Sequence, residues 1–302
     1  MKWNPKYLAA MAITVVCGAG IPRAMAQDSG FLTPDQSEAK ARQIMNQAID
    51  ALGGSAYLNV HDVTCTGHMG QFQHSGALSG YGQFIDYSEP PTKERTENLP
   101  QRNEIDVFNG DKGWNMDRGG VSEEPESQLI KFQDDQAKDI DNILRHRIHE
   151  KDMVIRYDGH DIVDLKEADW VQLVDAQDRT FRIAFDSATH LPLRKTLETR
   201  DPKYRTTTQE AEIYSDYHVL DGVNTPLQIS RQRNGEAVYQ VFFDQCSYNK
   251  GLDESLFTRE SLDQRFAKIG KKQKPEKNKK DKNKDKSGEA ADSTSGTDSG
   301  KN

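Results

Sequence analysis

The side chains able to do chemistry in this chain are scattered, and their spacing assembles little of it. Of eight histidines, His146 and His149 stand three apart on what reads as a helix end. They are flanked by Arg145, Arg147 and Lys151, whose charges oppose a bound cation, and no nearby carboxylate pair completes a set of three or four ligands. A solvated basic helix end is the plainer reading, and no metal or other cofactor is expected. His61, His68 and His74 fall along the first strand region at spacings that need not share a face, with His74 near a turn. Gly76, Gly80 and Gly82 precede strand-type residues and no helix, so they read as glycines of a bent strand, not a dinucleotide loop. The chain contains no GxSxG, HExxH, P-loop or CxxC, so it does not read as an enzyme. The acidic pairs Glu123-Glu124 and Asp134-Asp135 read as a helix start and a helix surface.

Three cysteines are present. Cys17 lies in an N-terminal segment with Lys2 and Lys6 ahead of an uncharged apolar run from Tyr7 to Ile21, followed by Ala24-Met25-Ala26. That is the pattern of a cleaved export signal, with cleavage expected between Ala26 and Gln27. Val16 stands where a lipidated cysteine wants a small residue, which argues against a lipid anchor at Cys17. The run is shorter than the roughly 20 residues of a membrane span, and no other stretch qualifies. Cys65 and Cys246 remain near opposite ends of the body. In an exported chain they are either a disulfide or two buried small hydrophobes, and sequence leaves both open.

Charge divides the chain further. The overall net of −8 combines a basic signal at 1–26, an acidic body at 27–270 and a tail at 271–302 with ten Lys against six acids. The body excludes a nucleic-acid-binding domain, because affinity for nucleic acid begins with Lys and Arg neutralising phosphates. The tail has no aromatic and no aliphatic residue larger than Ala, a composition that does not form a core. Its nine Lys against three acids over Lys271 to Lys286 fit either a tether to anionic lipid or polymer of the cell envelope or a solubilising tail.

The elements that position these residues can be read from periodicity. Thr33-Pro34-Asp35-Gln36 is a helix start, and Ala41, Ile44, Met45, Ala48, Ile49 and Leu52 recur at the helical period up to Gly53-Gly54. From about Val60 the pattern becomes short β-branched and aromatic runs. Asn109-Gly110, Asp158-Gly159, Asp221-Gly222 and Asn234-Gly235 mark turns. Ten to twelve strands in hairpin order predict a mainly β, α+β chain built on an antiparallel meander. Between Glu123 and Glu150, Leu129, Phe132, Ile140, Ile143, Leu144 and Ile148 predict a second amphipathic helix inserted into the sheet. Two single-striped helices and a curved sheet bury their apolar faces best with the helices across the concave side. Trp114 and Trp170 in strands, with Phe84, Phe108, Phe181, Phe185, Phe242 and Phe243 on others, either fill a core or line a cavity between sheet and helices.

Several segments resemble the exported outer-membrane lipoprotein-sorting carriers, the LolA/LolB-like group. They are ALGGSAYLNVHDV from Ala51 to Val63, Pro91 followed by Arg95, and FNGDKGW from Phe108 to Trp114. FDSATHLPLR from Phe185 to Arg194, DYHVLDGVNTPLQI from Asp216 to Ile229 and NKGLDESLF from Asn249 to Phe257 follow in family order. The resemblance implies a half-open antiparallel barrel of about 11 strands whose concave face is plugged by helices, with a hydrophobic cavity for lipoprotein acyl chains or lipid. The chain departs from the dedicated carriers in its greater length and Lys-rich tail. Residues 27–270 are then one domain, a periplasmic or secreted carrier with Trp114 and Trp170 lining its cavity and helix 123–150 as part of its lid. The alternative is an interaction protein of the envelope with a filled core.

Overall fold

A capping box sets the first helix: the Thr33 hydroxyl accepts from the Gln36 amide while the Gln36 side chain accepts from the Thr33 amide. In the computed structural model, which describes residues 32–272 except 201, 202 and 204, this helix is α1, Pro34–Ala51. The expected signal segment and Ala26–Gln27 cleavage site, and the tail beyond Lys272, lie outside the described residues. Ala41, Ile44, Met45, Ala48 and Ile49 form the buried stripe of α1, as the period predicts. Gly53 follows at φ +127, where an added Cβ would lie 2.3 Å from the Gly222 carbonyl oxygen. Only glycine permits that approach. A short helix α2, Ser55–Leu58, leads into the sheet.

The first six strands run β1 (Val63–Phe72), β2 (Leu78–Glu89), β3 (Lys93–Leu99), β4 (Ile105–Asn109), β5 (Lys112–Asp117) and β6 (Gly120–Glu123). The chain then leaves the sheet as α3 (Glu126–Lys138), α4 (Ile140–Arg145) and a 3-10 turn at Arg147–His149. It returns as β7 (Val154–Val163), β8 (Lys166–Val174), β9 (Thr180–Asp186), β10 (Pro192–Arg200), β11 (Thr207–Leu220), β12 (Val223–Arg233) and β13 (Glu236–Tyr248). A last helix, α5, spans Arg259–Lys272. All 13 strands form one antiparallel sheet in the order β6-β5-β4-β3-β2-β1-β13-β12-β11-β10-β9-β8-β7. Every pairing is a local hairpin except β1 with β13, and β6 and β7 are left as two separate edges, so the barrel is half-open. The sheet has more strands than sequence predicts because β3 is dominated by Lys93, Glu94, Arg95 and Glu97, and β6 is only four residues long.

The expected single helix over 123–150 is two helices broken at Asp139, whose extended backbone (φ −61, ψ 135) ends α3 while its carboxylate caps α4 at the Asn142 amide. Asp158-Gly159 is likewise no hairpin turn; it lies in a bulge of β7, where the register with β8 shifts.

The core has three parts. The largest joins α1, α4 and the concave face of β7–β13, including Phe181, Ile183, Phe185, Val171, Leu173 and Tyr214. A second lies on the opposite face beneath α5, around Ile105, Val107, Met116, Phe257 and Leu262. A third, on the outer face, is Val163, Ala168, Trp170, Ala184 and Leu193.

Candidate functional site

Strand register brings a set of apolar side chains to the middle of the concave face. Gly67 of β1 pairs with Phe84 of β2 and Phe243 of β13, Met69 pairs with Val241, and Val241 pairs with Ile229 of β12. The Phe84 and Phe243 rings meet edge-on over Gly67, centroids 6.0 Å apart at 79°. A Cβ at Gly67 would lie 2.3 Å from the Phe242 carbonyl oxygen and 3.1 Å from the Phe84 ring, so the glycine makes room for the pair. Met69, Phe84, Ile229, Val241 and Phe243 are all only half-buried. An aromatic and aliphatic strip thus stays partly open on a face whose flank, toward β7, is sealed by α1.

The strip runs into a cavity of about 230 Å³ between the sheet and the α3–α4 junction. Ile229, Phe243, Val63 and the Cys65–Cys246 pair form its apolar wall. The remaining wall is polar: Asp86 and Glu94 from the sheet face Gln136, Asp139, Asp141 and Arg145 from the helices. Asp86 accepts from the Thr96 hydroxyl at 2.9 Å, and Glu94 accepts from the Gln136 amide at 3.0 Å. Burial pushes the Asp86 carboxyl up to about 6 against the Thr96 bond. Burial, and then the charges of Asp86, Asp139 and Asp135, push Glu94 up to about 8. Burial and then Asp141 raise Asp139 to about 6, opposed by Lys195.

Beside this cavity a second network has the opposite electrostatics. Glu212 accepts from Arg231 and Tyr214 and pairs with Lys195 at 2.6 Å. Burial alone would raise Glu212, but the charges of Lys195 and Arg231 outweigh it and hold the carboxyl down at about 2. Arg145 and Arg147, expected on a solvated helix end, are buried. The chain turns through the 3-10 segment after α4, so Arg145 stacks on the Tyr57 ring, 4.3 Å from its centroid, and reaches Asp141, while Arg147 donates to Asp175 at 3.0 Å. His146 and His149 remain exposed, and among the described residues no group of three or more His, Cys, Asp or Glu is placed to hold a metal.

The two tryptophans named as cavity-lining residues face the other way. Trp170 alternates with Val171 along β8; Val171 joins the core beneath the helices, and Trp170 packs on the outer face with Ala184 and Leu193 under the Arg182 guanidinium. Trp114 shares its face with Met116 and packs with the cluster under α5. It borders an open outer groove of about 730 Å³ with Phe257, Leu129 and Arg259. The structure therefore separates Trp114 from Trp170 and brings neither to the concave chamber. Cys65 and Cys246 are register partners on β1 and β13 with Cα atoms 4.1 Å apart, joined as a disulfide on the chamber wall. The chamber's carboxylates were not legible as a site. The available signal was that Phe84, Asp86 and Ser88 share one face of β2 by alternation, mixing an aromatic with an acid.

The topology and the roofed concave face identify the architecture when compared with solved structures. A DUF1329 family protein from Desulfovibrio piger superposes with a TM-score of 0.54 over 74% of this chain and 98% of that one, at 14% identity. An outer membrane lipoprotein-sorting protein domain from Vibrio parahaemolyticus superposes with a TM-score of 0.50 over 76% of this chain and 100% of that one, at 10% identity. The fold is that of these two proteins. No family model matches the sequence, and no curated protein does. At these identities the likeness concerns the fold alone. As the resemblance implied, the sheet is a half-open barrel with helices on its concave side. No helix among the described residues is long and apolar enough to cross a membrane.

Proposed function

We propose that this chain is a non-enzymatic carrier that holds an acyl chain, of a lipid or of a lipoprotein, on the concave face of its sheet outside the cytoplasm. The observation that carries the reading is the half-buried strip of Met69, Phe84, Ile229, Val241 and Phe243 leading into the cavity under α3 and α4. Apolar side chains on the outer surface of a fold need no explanation, but a contiguous strip inside a concavity is surface the chain has not covered with its own residues. The cavity, about 230 Å³, is smaller than the roughly 300–1,000 Å³ of ordinary ligand pockets. An acyl chain therefore lies along the strip and enters the cavity as the helical roof lifts. The tryptophans have no part in this site.

Native mass spectrometry of the protein purified gently from a cell envelope is expected to show a bound lipid. A fluorescent hydrophobic probe is expected to bind the delipidated protein and to bind Phe84→Asn and Phe243→Asn at least tenfold more weakly, while Trp170→Phe matches the parent. Equal probe affinity in all four proteins removes the concave strip as the site.

A further inference from the structure

The roof of the chamber is fastened unevenly. Toward β8–β10 it is tied by charge. Arg147 bridges Asp175 and the Ala137 carbonyl, Arg179 spans Asp175 and Asp134, and Lys195 donates to the Lys138 carbonyl. Toward β3–β5, no ion pair between α3 and the sheet is found among the described residues. There α3 rests on the Phe132 ring stacked 4.5 Å from Phe108 and on two uncharged side-chain hydrogen bonds, from Gln136 to Glu94 at 3.0 Å and from Gln133 to the Gly110 carbonyl at 3.5 Å. Asp139, with its extended backbone, is the joint between α3 and α4.

The groups around Glu94 are unbalanced. Asp86 faces it from β2, Asp106 from β4, Glu124 from the segment leading into α3, Lys131 and Asp135 from α3, and Asp139 from the joint. Asp141, Arg145, Lys195, Glu212 and Arg231 lie further along the wall. Every base in this set has an acid partner elsewhere: Lys131 pairs with Asp135, Arg145 with Asp141, and Lys195 and Arg231 with Glu212. Asp86, Glu94 and Asp139 have no basic partner at ion-pair distance among the described residues.

We propose that the roof is a pH-governed gate: ionisation of Glu94, Asp86 and Asp139 lifts α3 away from β3–β5 about the Asp139 joint, and their protonation holds it closed. The inference rests on reading the chamber as the ligand site. A neutral Glu94 keeps the Gln136 bond and sits beside Asp86 without penalty. Charges on both facing walls repel across the cavity, and the repulsion is relieved as the roof rises and the walls separate. The closed state raises these carboxyls, Glu94 to about 8 and the other two to about 6. An open, hydrated chamber returns them toward ordinary values. The closed state therefore binds more protons, so closure is most favoured at acid pH and weakens as pH climbs from the ordinary carboxylate range to about 8. Each proton released on opening shifts the equilibrium up to tenfold per pH unit in that window. The charge-tied side stays fixed, because Asp175 is held below its usual range by Arg147 and Arg179 despite burial.

The test uses the full oxidised chain without ligand. Nitroxides are placed through Ile130→Cys on α3 and Leu78→Cys on β2, both exposed, and the distance distribution is read by pulsed electron resonance from pH 5 to 9. A longer-distance population is expected to grow at least tenfold between pH 6 and 8. Glu94→Gln, which keeps a bond to Gln136 without a charge, is expected to lose the growth between pH 6 and 8 and to keep only the smaller opening that Asp86 and Asp139 drive below about 6. Asp86→Asn, which removes one repelling neighbour, is expected to move the midpoint to higher pH, because it leaves Glu94 and Asp139 to open the roof and makes closure easier. A distance independent of pH overturns the gate, as does a Glu94→Gln curve matching the parent; should Glu94→Gln fail to fold, an unshifted Asp86→Asn midpoint overturns it equally. Because no ligand is present, a moving roof with no probe binding at any pH refutes the carrier reading alone, and probe binding beneath an immobile roof refutes the gate alone.

Discussion

Reducing the Cys65–Cys246 bridge is expected to be the largest single stability change available in this chain. The bond joins residues 181 apart in sequence, so its main effect falls on the unfolded chain, whose ends it keeps from separating. Loop-closure entropy for a ring of this length corresponds to about 5 kcal/mol at 25 °C. That is an upper value, since residual structure in the unfolded chain reduces it. The native side loses little, because the two residues remain register partners in a β1–β13 ladder that runs from Val63 to Gln71. For a body of this size the loss corresponds to a fall of roughly 10–20 °C in unfolding midpoint. Urea unfolding of oxidised and reduced protein, with Cys65→Ala/Cys246→Ala as a third sample, reads the difference directly. The denaturant slope should increase modestly on reduction as the unfolded chain expands. A difference under 1 kcal/mol between the two states, or two reactive thiols in the denatured but unreduced protein, refutes the reasoning.

Two further outcomes follow from packing and charge. Glu212→Gln leaves Lys195 and Arg231 without their shared carboxylate and is expected to lose about 3–5 kcal/mol at neutral pH. Since the folded Glu212 carboxyl is depressed to about 2, its contribution is complete above the ordinary Glu range. It drains away as pH falls toward 2, so parent and variant should converge in acid urea titrations; a constant gap down to pH 3 contradicts the network. Gly53→Ala drives a Cβ into the Gly222 carbonyl at a backbone angle that side chains rarely adopt and should cost at least about 2 kcal/mol by thermal unfolding. A neutral Gly53→Ala would show that the α1 terminus does not depend on that approach.

Much of this architecture could be read from the sequence because local chemistry dictates it. The Thr33 capping box, the Gly53-Gly54 stop and the turns at Asn109-Gly110, Asp221-Gly222 and Asn234-Gly235 each arise within a few residues. The break at Asp139 could not be read, since Ile140, Ile143, Leu144 and Ile148 continue the apolar spacing of Leu129 and Phe132 across it. The misplacement of Trp114 and Trp170 has a different origin. Alternation tells which side chains share a face of a strand, but not which face meets the helices, and in this sheet both faces carry apolar clusters because α5 covers the back. Asp86 and Glu94 were hidden for the same reason: an acid turned into a chamber has the same sequence signature as one turned to solvent.

The helical roof is also the stretch of chain that runs directly from one free edge of the sheet, β6, to the other, β7. Mechanically it is a strap of fixed contour length drawn across an open hoop. If the arms of the hoop spread, the strap tightens and flattens against the sheet; if they relax inward, it slackens and can bow outward. Sheet curvature and chamber volume are then a single coordinate, and a load that bends the outer strands changes the space beneath the helices without touching them.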